Sequence, residues 1–186
     1  MIDVIVIGGG IAGISAAARL SNHCSVMLLE QESSLGYHAS GRSAASCIRD
    51  YGNQTTRELN ELSFEYLRRA NNGVLSDTGL MVLAKKSQIE EFKASSKSFG
   101  LNTISIDEAI LQIPIIDKEI VSFASYREDV YDLDTNQLIQ NFAREAKKNN
   151  AQLKTNACVK NIKYINSDWI VTTSTSEYKS SIIVNA

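Results

Sequence analysis

Hydrophobic and polar positions change period several times along this chain, and each change marks an element. Ile2 to Ile7 is a short, mostly apolar run of strand character. It leads into Gly8-Gly9-Gly10-Ile11-Ala12-Gly13, a glycine turn, and Ile11 to Leu20 then has the alanine-rich character of a helix. A second apolar run, Val26-Met27-Leu28-Leu29, closes on Glu30. Strand, turn, helix and strand follow in the order of a dinucleotide-binding unit, with an acid where a ribose would sit.

Beyond Glu30 the pattern is polar until Asn53. Gln54 to Ala70 then reads as a helix, with Leu59, Leu62, Tyr66 and Ala70 on its apolar stripe, Arg57, Glu61, Glu65 and Arg68 in solvent, and Asn71-Asn72-Gly73 as its stop. Leu80 to Ala84 is a short strand. Ser87-Gln88-Ile89-Glu90 reads as a capping box opening a helix that buries Ile89, Phe92 and Phe99. Asp107 caps a further short helix that stops near Pro114, and Glu119 to Ser125 is a candidate strand. Asp134 or Thr135 caps an amphipathic helix with Leu138, Ile139, Phe142, Ala143 and Ala146 on its apolar face and Lys147 and Lys148 at its negative end.

From Ala151 onward short alternating strands take over: Gln152 to Lys154, Cys158 to Ile165, Trp169 to Thr173, Tyr178 to Lys179, and Ser181 to Val184. Trp169 and Val171 share one face and are expected to pack in the core. The run from Ser181 reads as a buried parallel strand, which normally leads into a connection back to the fold, so more chain is expected after Ala186. The order implies an α/β chain with two interleaved parts. Residues 1–45 and 135–186 would form a nucleotide-binding domain, with 46–134 inserted as the start of a second domain.

Composition narrows the function classes. The chain has 186 residues, is 44% hydrophobic and is ample for a core. Its formal charge of −2 arises from 19 basic and 21 acidic residues that are interspersed, which leaves no electrostatic footprint for nucleic acid or an anionic membrane. No apolar stretch is long enough to span a bilayer, and Asp3 and the glycine turn argue against a signal peptide. Cys24, Cys47 and Cys158 are odd in number and in no metal-type spacing, which points to reduced thiols in a cytoplasmic protein. His23 and His38, the only histidines, are too few for a metal cluster, and no metal is expected.

Candidate chemistry lies in two stretches. Gly8 permits a tight turn, Gly10 lets backbone approach a pyrophosphate, and Gly13 lets the helix pack close to the sheet. The helix start directs N–H groups and a positive dipole end at phosphates, and Glu30 would accept from ribose hydroxyls. Gly36-Tyr37-His38-Ala39-Ser40-Gly41-Arg42-Ser43-Ala44-Ala45 gathers N–H donors, hydroxyls and a guanidinium, which suits phosphates or a polar ring edge and equally suits a solvated loop.

In these stretches, and in Tyr51-Gly52, Asp132-Leu133-Asp134-Thr135 and Val184-Asn185-Ala186, the chain resembles the D-amino-acid oxidase-like family of FAD-dependent oxidoreductases, most closely its bacterial D-arginine dehydrogenase type. The stretches run in the family order along the whole chain. The resemblance implies a Rossmann-like FAD-binding domain with a parallel sheet and a small antiparallel meander, interrupted by a partial α+β substrate domain. It implies that Gly8, Gly10, Ile11, Ala12 and Gly13 cradle the FAD pyrophosphate and that Glu30 holds the adenosine ribose. Ser40, Gly41, Arg42, Ser43, Ala44 and Ala45 would run beneath the pyrophosphate toward the flavin, Val159 would meet the adenine with its backbone, and Ala186 would begin a turn by the cofactor. Tyr51 matches an active-site tyrosine. A histidine near the place of His38 carries covalent flavin in some relatives, whereas the subgroup nearest this chain holds FAD non-covalently.

The departures bear on substrate and completeness. An active-site histidine of the family falls on Ser46, and the glutamate that would pair with a cationic side chain falls on Leu80, so a small amino acid or amine other than D-arginine or D-lysine is the expected substrate. The chain covers roughly the first half of the family pattern. It is therefore expected to work with a second polypeptide supplying the rest, or else to be a truncated, inactive FAD-binding fragment. An NAD-dependent oxidoreductase is the remaining alternative, because an acid at Glu30 serves the ribose of either cofactor.

Overall fold

Along the chain the elements are β1 (Ile2–Ile7), α1 (Ile11–Leu20), β2 (Val26–Leu29), β3 (Ser46–Cys47), α2 (Gln54–Arg69), β4 (Leu75–Asp77), β5 (Leu80–Ala84), α3 (Ile89–Ser98), β6 (Asn102–Ile104), α4 (Ile106–Gln112), β7 (Phe123–Arg127), β8 (Tyr131–Leu133), α5 (Thr135–Lys148), β9 (Gln152–Lys154), β10 (Val159–Ile165), β11 (Asp168–Thr173) and β12 (Glu177–Asn185). The structure, a computed structural model, describes residues 2–186. Residues 1–43 with 134–186 make one compact unit and 44–133 the other.

In the first unit β1 lies between β2 and β12, both parallel to it, and β9 extends the sheet beyond β2. Beyond β12 the sheet turns antiparallel through β11 and β10. Ile5 and Val6 of β1 and Leu28 and Leu29 of β2 are buried, which is why these strands read as continuous apolar runs rather than alternating ones. One face packs Ile5, Met27 and Leu29 with Val171 of β11. α1 packs against α5 through small residues, with Ala17, Ala18 and Ala146 fully buried. The whole expected apolar face of α5 is buried, and Asp134 is its cap, accepting from the Gln137 N–H at 2.7 Å.

β12 differs from expectation in two ways. It is a single strand through Ser180 rather than two, because buried Ser180 pairs with Trp169 on one side and Ile2 on the other. Nor is its second half fully buried. The pairing with β11 ends at Ser180, β1 alone continues beside Ile182, and Ile182 is 54% exposed.

The second unit holds two three-stranded antiparallel sheets, ordered β3-β8-β4 and β5-β7-β6. Its core includes Phe64, Val74, Phe92, Ala109, Ala124 and Val130. The stripe on α2 is turned from the one expected: Phe64 is the buried residue, whereas Leu59 is 59% and Leu62 80% exposed. Phe64 wins because its ring meets Tyr131 of β8, at 5.2 Å between centroids, under the Arg49 guanidinium.

The caps shift as well. Ser105, not Asp107, caps α4 through a reciprocal box with Glu108, whose carboxylate accepts from the Ser105 N–H at 2.8 Å. A 3-10 turn precedes α3, and there the Gln88 side chain accepts from the Lys85 N–H in place of the expected Ser87 box. The strand expected from Glu119 begins at Phe123, after a turn in which Asp117 accepts from the Glu119 N–H.

Candidate cofactor site

The glycine turn is shaped by close backbone approaches. Gly8 has φ +107, and a Cβ there would sit 2.0 Å from the Ala186 carbonyl oxygen; the Ala186 N–H in turn donates to Ile7 at 2.9 Å. A Cβ on Gly13 would lie 2.0 Å from the Gly8 carbonyl oxygen. Glycine at these positions lets the end of β12 and the start of α1 close on one turn. Gly10 is the N-cap of α1 and has no side chain to cap it. Ser40 supplies the missing acceptor, its Oγ taking the Ile11 N–H at 3.0 Å. The first helical bond runs from Ile14 to Gly10, so the amides of Ala12 and Gly13 lie ahead of the ladder at the positive end of the helix.

Glu30, at the end of β2, is 7% exposed. Its Oε2 accepts from the Gly9 N–H at 2.6 Å and its Oε1 from the Glu32 N–H at 2.8 Å. Each carboxylate oxygen has about two lone-pair sites, so two neutral donors aim the group and leave it able to accept further bonds. Gly9 is a residue that the spacing argument missed. Its amide holds the acid, and a Cβ there would stand 2.8 Å from the same oxygen.

A cavity of about 300 Å³ opens over this turn, lined among others by Gly8, Gly10, Glu30, His38, Val159 and Ala186. Five of these are residues singled out in the sequence, drawn from three distant stretches. His38 was not expected in this role; its Nε2 lies 2.9 Å from Glu32 Oε1. Ile11, Ala12 and Gly13 stand at the helix start rather than on the cavity wall.

The Gly36 to Ser43 loop is tied to the turn by the Gly36 N–H, which donates to the Gly9 carbonyl at 2.9 Å. A Cβ on Gly41 would be 2.2 Å from the Gly36 carbonyl oxygen, so the loop doubles back tightly on itself. Arg42 folds onto this loop: its Nε donates to the Tyr37 carbonyl at 3.0 Å, and its guanidinium lies over the Tyr37 ring. Neither it nor Ser43 lines the cavity. Ala44 and Ala45 fall in the second unit, where the Ala45 carbonyl accepts from the Leu133 N–H.

Tyr51 is also in the second unit, half exposed and stacked on Phe99 with centroids 5.6 Å apart. Ser46 stands opposite Asp132 in β3, and Leu80 opposite Arg127 in β5. The three cysteines are free thiols, and burial pushes the Cys47 thiol up, away from nucleophilic character. Among the described residues no group of His, Cys, Asp and Glu could hold a metal ion, and no helix is long and apolar enough to cross a membrane.

The donor set fits a dinucleotide. The glycine turn up to Gly10, the N-cap of α1, walls the cavity with the positive end of the helix just behind it, where a diphosphate would lie, and an aimed carboxylate stands ready for vicinal hydroxyls.

Comparison with known proteins gives the family and the fold. The family model DAO, FAD dependent oxidoreductase, matches residues 3–186. A reduced, FAD-bound L-alpha-glycerophosphate oxidase from Mycoplasma pneumoniae has TM-score 0.79 at 21% identity, over 100% of this chain and 53% of that one. Glycine oxidase from Geobacillus kaustophilus has TM-score 0.81 at 19% identity, over 100% and 55%. L-proline dehydrogenase from P. horikoshii has TM-score 0.77 at 22% identity, over 99% and 52%. These likenesses establish the mixed α/β fold, and the chain spans about half the length of each of these structures.

Proposed function

This chain belongs to the DAO family of FAD-dependent oxidoreductases, and from that premise we propose that its first unit holds the ADP half of FAD and that the complete protein oxidises a small amino acid or amine. The observation that carries the reading is Glu30, a buried carboxylate aimed by the Gly9 and Glu32 amides into a cavity walled by the glycine turn. Its free lone pairs would take the ribose hydroxyls. The amides of Ala12 and Gly13 would face the pyrophosphate from the helix start, while Ser40 holds Ile11 in place. Gly8, Gly10 and Ala186 would form the close floor, and Val159 would meet the adenine. Gly41, Arg42 and Ser43 would continue beneath the pyrophosphate. His38 shares the cavity with Glu30, which supports non-covalent binding with His38 at the ribose end.

Bound FAD supplies an acceptor for the hydride leaving a substrate α-carbon. Tyr51 would line the substrate side and help orient the molecule. We place the chain nearest the D-arginine dehydrogenase type by lineage but not by substrate. Leu80, where that type has an acid, has no charge to pair with a guanidinium. Little or no turnover of D-arginine by the complete enzyme is therefore expected, and efficient turnover would refute the substrate reading.

The test of the cofactor reading is a titration with FAD, and with NAD in parallel, followed by flavin absorbance and fluorescence. Wild type should retain FAD and ignore NAD. Glu30→Ala should weaken FAD by on the order of 10-fold to 100-fold, the loss of a charged acceptor worth about 1.5–3 kcal/mol. Equal FAD affinity in the two proteins would overturn the assignment.

A second reading concerns partnership, and the observation favouring it is that the solved relatives are about twice as long. We propose that a second polypeptide completes the substrate pocket, in the reducing cytoplasm that free thiols suit. Co-purification of a two-chain flavoprotein that turns over an amino acid would support this. A folded chain that binds FAD yet acquires no activity with any complementing half is the outcome expected of an inactive fragment.

A further inference from the structure

Arg127, at the end of β7, is the most enclosed cation in the ion pairs of the second unit, with 10% of its side chain exposed. Its Nε and one terminal nitrogen donate to the two oxygens of Asp129 at 2.7 Å each, a bidentate pair that fixes the plane of the guanidinium. The other terminal nitrogen faces two groups distant in sequence. It donates to Asp50 Oδ1 at 2.9 Å and to the Phe99 carbonyl at 2.7 Å. Asp50 precedes Tyr51, and Tyr51 stacks on Phe99 with its ring plane 13° from that of Phe99. A single guanidinium nitrogen thus grips the backbone neighbour of one ring and the backbone of the other.

We infer that Arg127 is a positioning residue that sets the orientation of the Tyr51 ring, by holding Asp50 and the Phe99 carbonyl at one fixed separation. The relevance to substrate rests on the reading of Tyr51 given above. The rest of the Tyr51 segment is anchored from below, since Asn60 of α2 donates to the Ile48 and Tyr51 carbonyls. That anchor holds the backbone and does not touch the ring. Half of Tyr51 is exposed, so its burial alone does not set a rotamer. The clasp through Arg127 supplies the missing constraint. It requires a planar fork: two nitrogen donors occupy Asp129 while a third reaches Asp50 and Phe99, and a lysine ammonium cannot span that set.

The test uses the full chain grown with 3-fluorotyrosine and read by fluorine NMR. There are seven tyrosines, and the Tyr51 resonance is assigned by its loss in Tyr51→Phe. Phe99→Leu defines the position of the unstacked ring. Arg127→Met and Asp50→Ala should both move the Tyr51 resonance to that unstacked position, with Arg127→Lys in between. Glu61→Ala breaks the neighbouring bidentate pair with Arg49 and should leave the resonance where it is in wild type. Should Arg127→Met not fold, the exposed Asp50 variant decides alone. A Tyr51 resonance unmoved in the Arg127 and Asp50 variants, or moved equally by Glu61→Ala, overturns the inference. Activity of the complete enzyme separates the two layers. A Tyr51→Phe enzyme with unchanged kcat/KM would refute the substrate role of Tyr51 while leaving the clasp intact, whereas a resonance unmoved in the Arg127 and Asp50 variants would refute the clasp while leaving that role intact.

Discussion

Glu30 and Gly13 show two ways in which a single residue shapes the candidate site. Glu30 was legible as an acid at the end of a second strand, but its bonds to the Gly9 and Glu32 amides were not, because they depend on how a side chain turns back over the loop. Gly13 was legible as the place where the helix packs close to the sheet. The structure adds the contact, the Gly8 carbonyl oxygen, and its consequence. Gly13→Ala places a methyl where backbone already stands, so it should cost about 1–3 kcal/mol in urea unfolding and lower FAD affinity as the turn opens. An unchanged unfolding midpoint would mean that the helix start relaxes freely.

Asp129 gives a pH signature at the same scale. Hydrogen bonds from Arg127 hold its carboxyl below the ordinary carboxylate value, with the charge of Arg127 adding to them. A depressed folded-state pKa contributes stability that is complete above the unfolded value, about 3.9, and is lost as pH falls through the lower folded value. The urea midpoint of wild type should therefore fall more steeply below about pH 4 than that of Asp129→Asn. Because Asp129 is 59% exposed, solvent screening keeps the effect modest.

Among the elements, α2 separates pattern from packing. Its bounds follow from its sequence, with Asn53 as cap accepting from the Thr56 N–H at 2.9 Å and Asn71-Asn72-Gly73 as stop. Its buried face does not follow, since several apolar residues compete and the winner is the one that meets Tyr131. Phe64→Ala should cost about 3–5 kcal/mol, whereas Leu62→Glu should stay within about 0.5 kcal/mol of wild type, both by chemical denaturation. The opposite ranking would restore the Leu59 and Leu62 stripe. The strands β3, β4 and β8, two or three residues long, were not found by period, because their residues carry no alternation and pair only with distant parts of the chain, whereas the equally short β9 was expected at its observed bounds.

Across the whole molecule, the candidate nucleotide cavity lies within one compact unit and the Arg127 clasp within the other. ADP, as a probe for the nucleotide half of the cofactor, should slow hydrogen exchange in β1, the glycine turn and β2 and leave β5 and β7 unchanged. At ligand near 100 times Kd the protection should reach about 2.7 kcal/mol for amides that exchange through unfolding of that unit. Protection of β5 and β7 alone would move the site out of the first unit.

By itself the sequence determined the strand-turn-helix-strand opening and the amphipathic α5 with its cap at Asp134 or Thr135, while the family and FAD as its cofactor came through the resemblance of its motifs. The opening and the helix rest on local spacing, such as glycines at fixed offsets, an acid after an apolar run, and a 3.6-residue apolar repeat, which survives whatever the rest of the chain does. Only the tertiary structure decided that Ser40 caps α1, that His38 shares the cavity with Glu30, that Ala186 closes on Gly8, and that Arg127 joins Asp50 to Phe99. All but the His38 and Glu30 pair, which a loop of eight positions folds together, are meetings of residues separated by tens of positions. Such meetings are set by the packing of elements against one another, and no periodicity along the chain records them.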